Sequence, residues 1–200
     1  MEILFSNKDF AVCVKPVGLD SEMEVPAELR GQLGGDVFPL HRLDKNVGGV
    51  MVYARTKPAA AFLSKAIQNG DMVKEYVAKV HGTPPETDVF TDLLFKDSRK
   101  NKVFVVKKPR AGVKEAKLQY RHLGNGFVHV RLFTGRSHQI RVQFSSRGFP
   151  LVGDHKYGSR ASETAPLLFS CRITFPYKEK TYQFSALPEW ANNITLEDWT

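Results

Sequence analysis

EAKLQYRHLGNGFVHVRLF, at residues 115–133, holds two β-rich segments that meet at Asn125 and Gly126. An Asn-Gly pair favours the left-handed backbone of a tight hairpin turn, so the stretch predicts two antiparallel strands. Alternation in the second strand separates its apolar side chains from His129 and Arg131 on the other face. The apolar side chains of that strand are Val128, Val130 and Leu132.

Further β-rich segments lie on both sides of this hairpin. They are residues 3–5, 10–16, 49–54, 74–82, 102–107, 166–175 and 180–187. Residues 16–40 are rich in glycine, proline and acidic groups and predict a loop. Because strands greatly outnumber helices, we predict an α+β fold with a mixed, mainly antiparallel sheet and flanking helices and loops.

Two helices are predicted. The first begins after an N-cap at Thr56 and ends at Gly70. Its predicted buried face carries Ala59, Phe62, Leu63, Ala66 and Ile67. The second is predicted over residues 137–147, with Ile140 and Phe144 as its buried stripe. A separate polar face of this helix groups His138, Arg141 and Ser145.

The composition is that of a globular protein. The chain has 200 residues, of which 42% are hydrophobic and 25% charged, and this argues against global disorder. The two cysteines, Cys13 and Cys171, lie far apart in apolar surroundings, so we expect buried reduced thiols and no disulfide framework. The sequence shows neither a signal peptide nor a membrane span, which predicts a cytoplasmic protein without membrane contact.

The positive charge of the chain is concentrated in residues 96–117, which we call the basic segment. It holds nine lysines and arginines against two acidic residues, and it supplies nearly all of the net charge of +8. Such a block predicts a polyanionic partner, nucleic acid above all. A solvated, flexible charged loop explains the charge equally well.

Familiar cofactor motifs are missing. The sequence has no GxGxxG, P-loop, HExxH or paired-cysteine pattern, so we expect no nucleotide cofactor and no metal. Gly135–Gln139 comes close to the GxSxG elbow of serine hydrolases. That alternative would use Ser137 as the nucleophile, with Asp154 and His155 as its partners.

The segment His41-Arg-Leu-Asp44 lies between a predicted loop and a predicted strand, close to Gly48. Taken alone, Asp44 in this position is a turn or cap residue. The neighbouring His41 and Arg42 would keep its carboxylate ionised, as a nucleophile or base requires.

HRLDKNVGGVMVYARTKPAA, at residues 41–60, closely resembles the signature segment of RluA-type RNA pseudouridine synthases. KEYVAKVHG at residues 74–82 resembles the tyrosine strand of that family. TGRSHQIRVQFSSRGFPLVGDHKYG, at residues 134–158, resembles its C-terminal signature. These blocks occur in the family's order, and the resemblance covers roughly residues 3–188.

The resemblance implies a single pseudouridine synthase catalytic domain over residues 1–200, with no S4-type RNA-binding domain and no cofactor. Such enzymes cleave the N-glycosidic bond of a uridine in ribosomal or transfer RNA, rotate the base and rejoin it through carbon. Asp44 would attack or deprotonate the flipped-out nucleotide. Tyr76 would pack against the uracil, and Arg141 would pair with Asp44.

Further roles follow from the resemblance and from the charge. Arg42 would fill the space that the flipped base leaves. We expect the site to be organised by His41, Arg136, His138 and Gln139. Independently of the resemblance, we expect phosphate contacts from Lys100, Lys102, Lys107, Lys108 and Arg110.

The expected partner is a structured RNA stem-loop, bound by a monomer. A catalytically inactive RNA-binding or assembly protein with the same fold remains the alternative. Its best support is that Val47 and Gly48 stand where the family usually has Thr-Ser.

Overall fold

The computed structural model describes residues 1–199, which divide into two compact units. The first unit comprises Met1–Lys74 and Phe169–Leu187, and the second comprises Glu75–Leu168 and residues 188–199. The interpretation of the chain as one catalytic domain stays a prediction.

The described residues contain eleven strands and three α-helices. The strands are β1 (Glu2–Ser6), β2 (Phe10–Lys15), β3 (Phe38–Pro39), β4 (Gly48–Ala54), β5 (Val73–Lys79), β6 (Thr87–Asp97), β7 (Lys102–Val106), β8 (Val113–Gly124), β9 (Phe127–Leu132), β10 (Leu168–Tyr177) and β11 (Lys180–Ser185). The helices are α1 (Glu24–Leu33), α2 (Lys57–Asn69) and α3 (Gln139–Ser145). Short 3-10 turns form at His155–Tyr157 and Glu189–Ala191. The predicted α+β class is confirmed.

In the first unit, neighbouring strands follow the order β1-β2-β4-β10, with β3 paired to β4 and β11 paired to β10. β4 is parallel to β10 and antiparallel to β2. Every residue of β4 is buried, as expected for a strand covered on both faces. The core of this unit is built from Phe10, Val12, Val50, Val52, Leu63, Ile173 and Phe175.

Helix α2 confirms the local signals in its sequence. The Thr56 side chain accepts a hydrogen bond from the Ala59 backbone, and Gly70 ends the helix in a left-handed conformation. One member of the predicted buried face was assigned wrongly, because Phe62 remains 41% exposed. Its ring sits at the border of the buried face, edge-on to Tyr177 at 5.2 Å.

The prediction of a loop over residues 16–40 is wrong in part, because the segment contains helix α1 and strand β3. The Asp20 carboxylate begins the helical region by accepting hydrogen bonds from the backbone N–H groups of Glu22 and Met23. The helix then buries Val25 and Leu29 against the unit. Tertiary packing thus outweighs the poor helix-forming composition of this stretch.

In the second unit the strand order is β5-β9-β8-β6-β7. The β8–β9 hairpin is confirmed, with Asn125 (φ 51°) and Gly126 (φ 76°) in the left-handed region. β6 lies in a region for which no strand was predicted, and it pairs with β8 from Thr87 to Phe95. The basic segment spans the end of β6, β7 and the start of β8. Lys107, Lys108 and Arg110 lie in the loop between β7 and β8, so the segment combines strands with a charged loop.

Helix α3 is shorter than the predicted helix over residues 137–147. His138 adopts a left-handed conformation (φ 50°, ψ 23°) and is the N-cap, so the helix begins only at Gln139. The predicted buried stripe of Ile140 and Phe144 was too narrow, since every residue from Gln139 to Phe144 is buried.

The two cysteines are free and buried, as expected. Burial raises the pKa of the Cys13 thiol to about 12, which keeps it protonated and unreactive at neutral pH. No helix in the part of the chain that the structure describes is both long enough and apolar enough to cross a membrane.

Candidate active site

The first unit holds Asp44 in a tight turn. The Asp44 carbonyl accepts a hydrogen bond from the Val47 backbone at 2.9 Å. The buried Ser21 hydroxyl accepts from the Leu43 N–H at 3.2 Å and donates to the Leu43 carbonyl at 3.0 Å. Both backbone polar groups of Leu43, the residue before Asp44, are therefore hydrogen-bonded to one side chain.

A buried lysine supports the same turn. The Lys15 ammonium, fully excluded from solvent, donates to the carbonyls of Pro16, Leu19 and Lys45 at 2.9, 2.8 and 3.3 Å. Burial lowers the pKa of Lys15 to about 8. The carboxylates that oppose this shift are those of Asp20, Asp44 and Glu24.

Lys15 was not among the site residues predicted from the sequence. Its signal was a lysine inside an apolar strand, immediately before a proline. An ammonium is buried only where polar groups surround it. A lysine in an apolar strand therefore indicates a cluster of polar groups around its side chain.

The glycines after Asp44 allow two strands to approach closely. Gly49 has a φ of 133°, and a Cβ atom there would lie 2.4 Å from the Ser170 backbone nitrogen. The Ser170 hydroxyl donates to the Val50 carbonyl at 3.0 Å, across the parallel pair β4–β10. Only glycine fits this position, which lies five residues beyond the aspartate.

His41 does not supply the positive charge expected of it. Its Nε2 accepts a hydrogen bond from the Val52 backbone at 3.4 Å, which requires that nitrogen to be unprotonated. Burial lowers the pKa of His41 to about 3, and the Lys74 ammonium acts in the same direction. The expectation that His41 keeps Asp44 ionised was therefore wrong, because the ring is neutral at physiological pH.

Arg42 is exposed and only loosely held. Its guanidinium meets the Glu22 carboxylate at 3.4 Å, and both side chains are more than half exposed. An exposed pair of this kind contributes little to stability, so the side chain is able to move.

In the second unit Arg141 is buried rather than displayed on a polar face. Its Nε and Nη2 donate to the two carboxylate oxygens of Asp154 at 2.7 and 2.9 Å. Arg141 is 6% exposed and Asp154 is fully buried. This two-point contact fixes the plane of the guanidinium. The expected pairing of Arg141 with Asp44 stays a prediction.

The loop that carries Asp154 is itself built tightly. The Ser159 hydroxyl accepts a hydrogen bond from the Gly153 backbone at 3.0 Å and lies 2.9 Å from His81 Nε2. A Cβ atom on Gly153 would clash with the Ala165 carbonyl. The sequence indicated Asp154 only as a possible hydrolase residue, because its partner Arg141 is thirteen positions away.

His138 and Ser145 meet at one residue of the following loop. His138 Nδ1 lies 2.9 Å from the Tyr157 hydroxyl, and the Ser145 hydroxyl donates to the Tyr157 carbonyl at 2.6 Å. The Arg141 guanidinium lies 5.2 Å from the Tyr157 ring centroid. The three members of the predicted polar face thus come together, but around a buried tyrosine.

Gln139 closes the loop before α3. Its Oε1 accepts from the Thr134 hydroxyl at 2.8 Å and from the Arg136 backbone at 3.0 Å. Its Nε2 donates to the Lys117 carbonyl at 3.1 Å. The Arg136 side chain donates to the Glu115 carbonyl at 2.8 Å, so both residues anchor this loop to β8.

Tyr76 lies on β5 and is 7% exposed. The adjacent Glu75 forms a buried contact with His129 on β9, with Oε2 and Nε2 2.8 Å apart. The Trp199 ring lies 4.9 Å from the His129 ring. The sequence showed His129 on the face opposite to Val128, but it did not reveal this carboxylate partner.

The arrangement contradicts a Ser137 hydrolase. Asp154 is engaged by Arg141, and the two ring nitrogens of His155 lie 3.1 and 2.9 Å from the Ser159 and Glu163 carbonyls. Neither residue is thus available to form a triad. Across residues 1–199, no three His, Cys, Asp or Glu side chains cluster closely enough to hold a metal ion.

The predicted phosphate contacts are largely exposed. The exposed members are Lys100, Lys107, Lys108 and Arg110. Lys102 is half-buried, with its ammonium 5.3 Å from the Tyr157 ring centroid.

Comparison with known proteins gives a consistent result. Residues 3–146 match the protein family described as RNA pseudouridylate synthase. The chain is 31% identical over 163 residues to the mitochondrial tRNA pseudouridine(32) synthase of Saccharomyces cerevisiae, covering 78% of this chain and 35% of that protein. It is 39% identical over 126 residues to ribosomal large subunit pseudouridine synthase D of Vibrio cholerae, covering 61% and 38%.

The chain spans about a third to a half of the length of the curated relatives it matches. Among solved structures, human RNA pseudouridylate synthase domain containing 1 superposes with a TM-score of 0.82 at 22% identity. That alignment covers 94% of this chain and 83% of the human one, and it shows a common fold.

Proposed function

Because the chain belongs to the RNA pseudouridylate synthase family, we propose that it isomerises uridine to pseudouridine in structured RNA. The observation that carries this proposal is Asp44, which lies inside the matched region and is held in a turn braced by the buried Lys15. A positioned and ionised carboxylate is what cleavage at a sugar carbon requires.

In the proposed reaction, Asp44 attacks or deprotonates the nucleotide and the bond between uracil N1 and C1′ breaks. The base rotates, a bond forms between C5 and C1′, and the C5 proton leaves to solvent while N1 gains a proton. The Lys15 ammonium holds the turn of Asp44 through its hydrogen bond to the Lys45 carbonyl.

The proposed roles of the other site residues follow from their chemistry. Tyr76 packs against the extruded uracil, and Arg141, oriented by Asp154, pairs with Asp44. The exposed and loosely held Arg42 enters the space that the base leaves, since its guanidinium can stack on bases and donate hydrogen bonds.

The proposed substrates are ribosomal or transfer RNA stem-loops, bound by a monomer. The matched relatives are named for tRNA and for the large ribosomal subunit. Lys100, Lys102, Lys107, Lys108 and Arg110 of the basic segment are the proposed phosphate contacts.

Charge reversal tests the phosphate contacts. The variant Lys107→Glu/Lys108→Glu should bind RNA more weakly and lower the slope of log affinity against log salt by about 1.5, because two contacts are lost. A matched control, Lys57→Glu/Lys65→Glu on α2, changes the net charge equally and should retain the wild-type slope. Equal slopes in both variants would remove the basic segment from the RNA interface.

A second candidate is a catalytically inactive RNA-binding or assembly protein. The observation favouring it is Val47-Gly48 in place of the family's usual Thr-Ser. The turn at Asp44 nevertheless keeps its backbone hydrogen bond to Val47.

The deciding experiment incubates the protein with ribosomal and transfer RNA transcripts containing [5-³H]uridine. Release of tritium to water is the expected result, because C5 loses its hydrogen when the new bond forms. Tight RNA binding without release would favour the assembly protein. Mapping of the modified uridines would then identify the target.

A further inference from the structure

The sheet of the second unit has two unlike faces. Helix α3 covers one of them, where Phe90, Tyr120 and Phe144 form a cluster with ring centroids 5.0 to 5.1 Å apart. Leu94 and Val103 pack with Val142 on the same side. This face is a closed core.

The opposite face is open over β6, β7, the start of β8 and the end of β9, whereas His129 in the middle of β9 is buried. Cross-strand register places Phe95 opposite Phe104, and Thr91 opposite Lys117. Paired residues share a face and alternate residues exchange faces, so these side chains all point away from α3. Phe104 is 36% exposed and Phe133, which follows β9, is 47% exposed.

Each aromatic ring on this open face has at least one lysine or arginine side chain packed against it. The Lys102 ammonium lies 5.8 Å from the Phe104 centroid, and the Arg110 guanidinium lies 4.4 Å from the Phe95 centroid. Phe133 has two such neighbours, which are Lys117 at 5.3 Å and Arg131 at 5.7 Å. We call these seven residues the aromatic–cationic face.

The cations of this face are not neutralised. Within residues 1–199, none of the four forms an ion pair, and the acidic residues on the same strand faces are Asp97 and Glu115. The Asp97 carboxylate accepts from the Arg99 and Lys100 backbones and caps the β6–β7 turn. The face thus keeps an excess positive charge next to exposed rings.

We propose that the aromatic–cationic face binds single-stranded nucleotides that flank the target stem-loop, with bases stacked on Phe104 and Phe133. Aromatic side chains accept any base, while adjacent lysines and arginines hold the phosphates. This inference rests on the proposed function, since it assigns part of the same RNA to a second surface.

The spacing of the rings suits a strand of several nucleotides. Phe104 and Phe133 lie three strand spacings apart in the order β9-β8-β6-β7. They are also offset by the four residues that separate Val113 from Lys117 on β8. Strand geometry places the two rings on the order of 20 Å apart.

An acidic protein is the other partner that such a surface could attract. The arrangement favours RNA because cations that already lie over rings present a stacking platform and a phosphate contact at the same point. Protein interfaces, in contrast, are depleted of lysine at their centres.

The test uses the variant Phe104→Ala/Phe133→Ala and two probes, a fluorescein-labelled twelve-nucleotide oligouridylate and unfractionated tRNA. The variant should bind the oligouridylate about tenfold more weakly, because two stacking sites are lost. Tritium release at saturating RNA should keep the wild-type kcat, since the proposed reaction assigns no step to either ring. The salt slope should not change.

Phe62→Ala is the matched control, because Phe62 is equally exposed but lies on α2, and it should bind as wild type does. The variant Lys117→Gln/Arg131→Gln leaves both rings in place and should lower the salt slope by about 1.4, the value for two single-strand contacts.

Unchanged affinity and slope in both face variants would overturn the proposal and point to a protein partner for this surface. The outcomes also separate the two proposals. Oligouridylate binding that depends on Phe104 and Phe133, without tritium release by the wild type, would reject the enzyme and keep the face. Tritium release by the wild type, together with oligouridylate binding that neither face variant weakens, would do the reverse.

Discussion

At the scale of single residues, Lys15 in the first unit and Arg141 in the second are buried cations that are stabilised in different ways. Lys15 is surrounded by carbonyl oxygens, and burial still lowers its pKa to about 8. Arg141 has a carboxylate partner in Asp154. Its guanidinium is too weak an acid to lose its proton in a protein. The lysine braces the turn of Asp44, and the arginine provides a permanent charge of fixed orientation.

Removing the partner of Arg141 should be strongly destabilising. Asp154→Ala leaves a buried guanidinium uncompensated, so we expect the free energy of unfolding to fall by about 3–5 kcal/mol in urea titrations. Glu22→Ala breaks only the exposed pair with Arg42 and should cost less than about 1 kcal/mol. Similar losses in both variants would contradict the role given to Asp154.

The neutral His41 ring predicts a pH dependence of stability. Its pKa of about 3 in the folded protein lies below the ordinary value of 6.5, so between these values the unfolded state binds more protons. Stability should therefore fall as the pH is lowered from about 6.5 towards 3, by up to about 1.4 kcal/mol per pH unit from this residue. In urea titrations at pH 7, 5.5 and 4.5, His41→Gln should show a shallower loss. If the free energy of unfolding fell equally with pH in the variant and the wild type, His41 would not titrate as proposed.

At the scale of elements, the β4–β10 contact depends on a missing side chain. Gly49→Ala places a Cβ atom 2.4 Å from the Ser170 backbone at a φ of 133°, and we expect a loss of at least about 3 kcal/mol in thermal or urea unfolding. Gly31→Ala in α1 meets no atom within 4 Å and should stabilise by about 0.5–1 kcal/mol. Equal effects of the two changes would refute the close approach.

Elements with local signals could be predicted from the sequence. Helix α2 has a cap at Thr56 and a stop at Gly70, and the β8–β9 hairpin has its turn at Asn125-Gly126. Each signal acts within a few residues, so a single stretch of sequence contains it.

The elements that were missed depend on distant partners. Helix α1 contains Pro26 and Gly31, which lower its local propensity, and it is stabilised by burying Val25 and Leu29. β6 mixes acidic and apolar residues, so its own sequence does not show the alternation that predicts a strand. Its nine residue pairings with β8 stabilise it instead.

The candidate site shows the same division. The resemblance pointed to Asp44 and Arg141, and the chemistry of each residue type is readable from the sequence. The brace at Lys15 and the partner Asp154 could not be assigned, because neither has a spacing that reveals which groups surround it in the fold. The left-handed His138, which shortens α3, likewise follows from tertiary contacts at Tyr157.

At the scale of the whole molecule, charge is distributed very unevenly. Nearly all of the net charge of +8 lies in residues 96–117, within the second unit. A concentrated field of this kind steers a polyanion to one region and makes association sensitive to salt. In the proposed complex the bases stack on the exposed rings of the aromatic–cationic face, so electrostatic attraction and stacking act together.

The most direct test of the account compares Asp44→Asn with the wild type in tritium release from [5-³H]uridine-labelled RNA, with RNA affinity measured in parallel. The substitution preserves shape and removes the carboxylate, so release should fall by at least about 1,000-fold while binding stays within a few fold. Equal release by the variant and the wild type would contradict the assignment of Asp44 as the group that acts on the nucleotide.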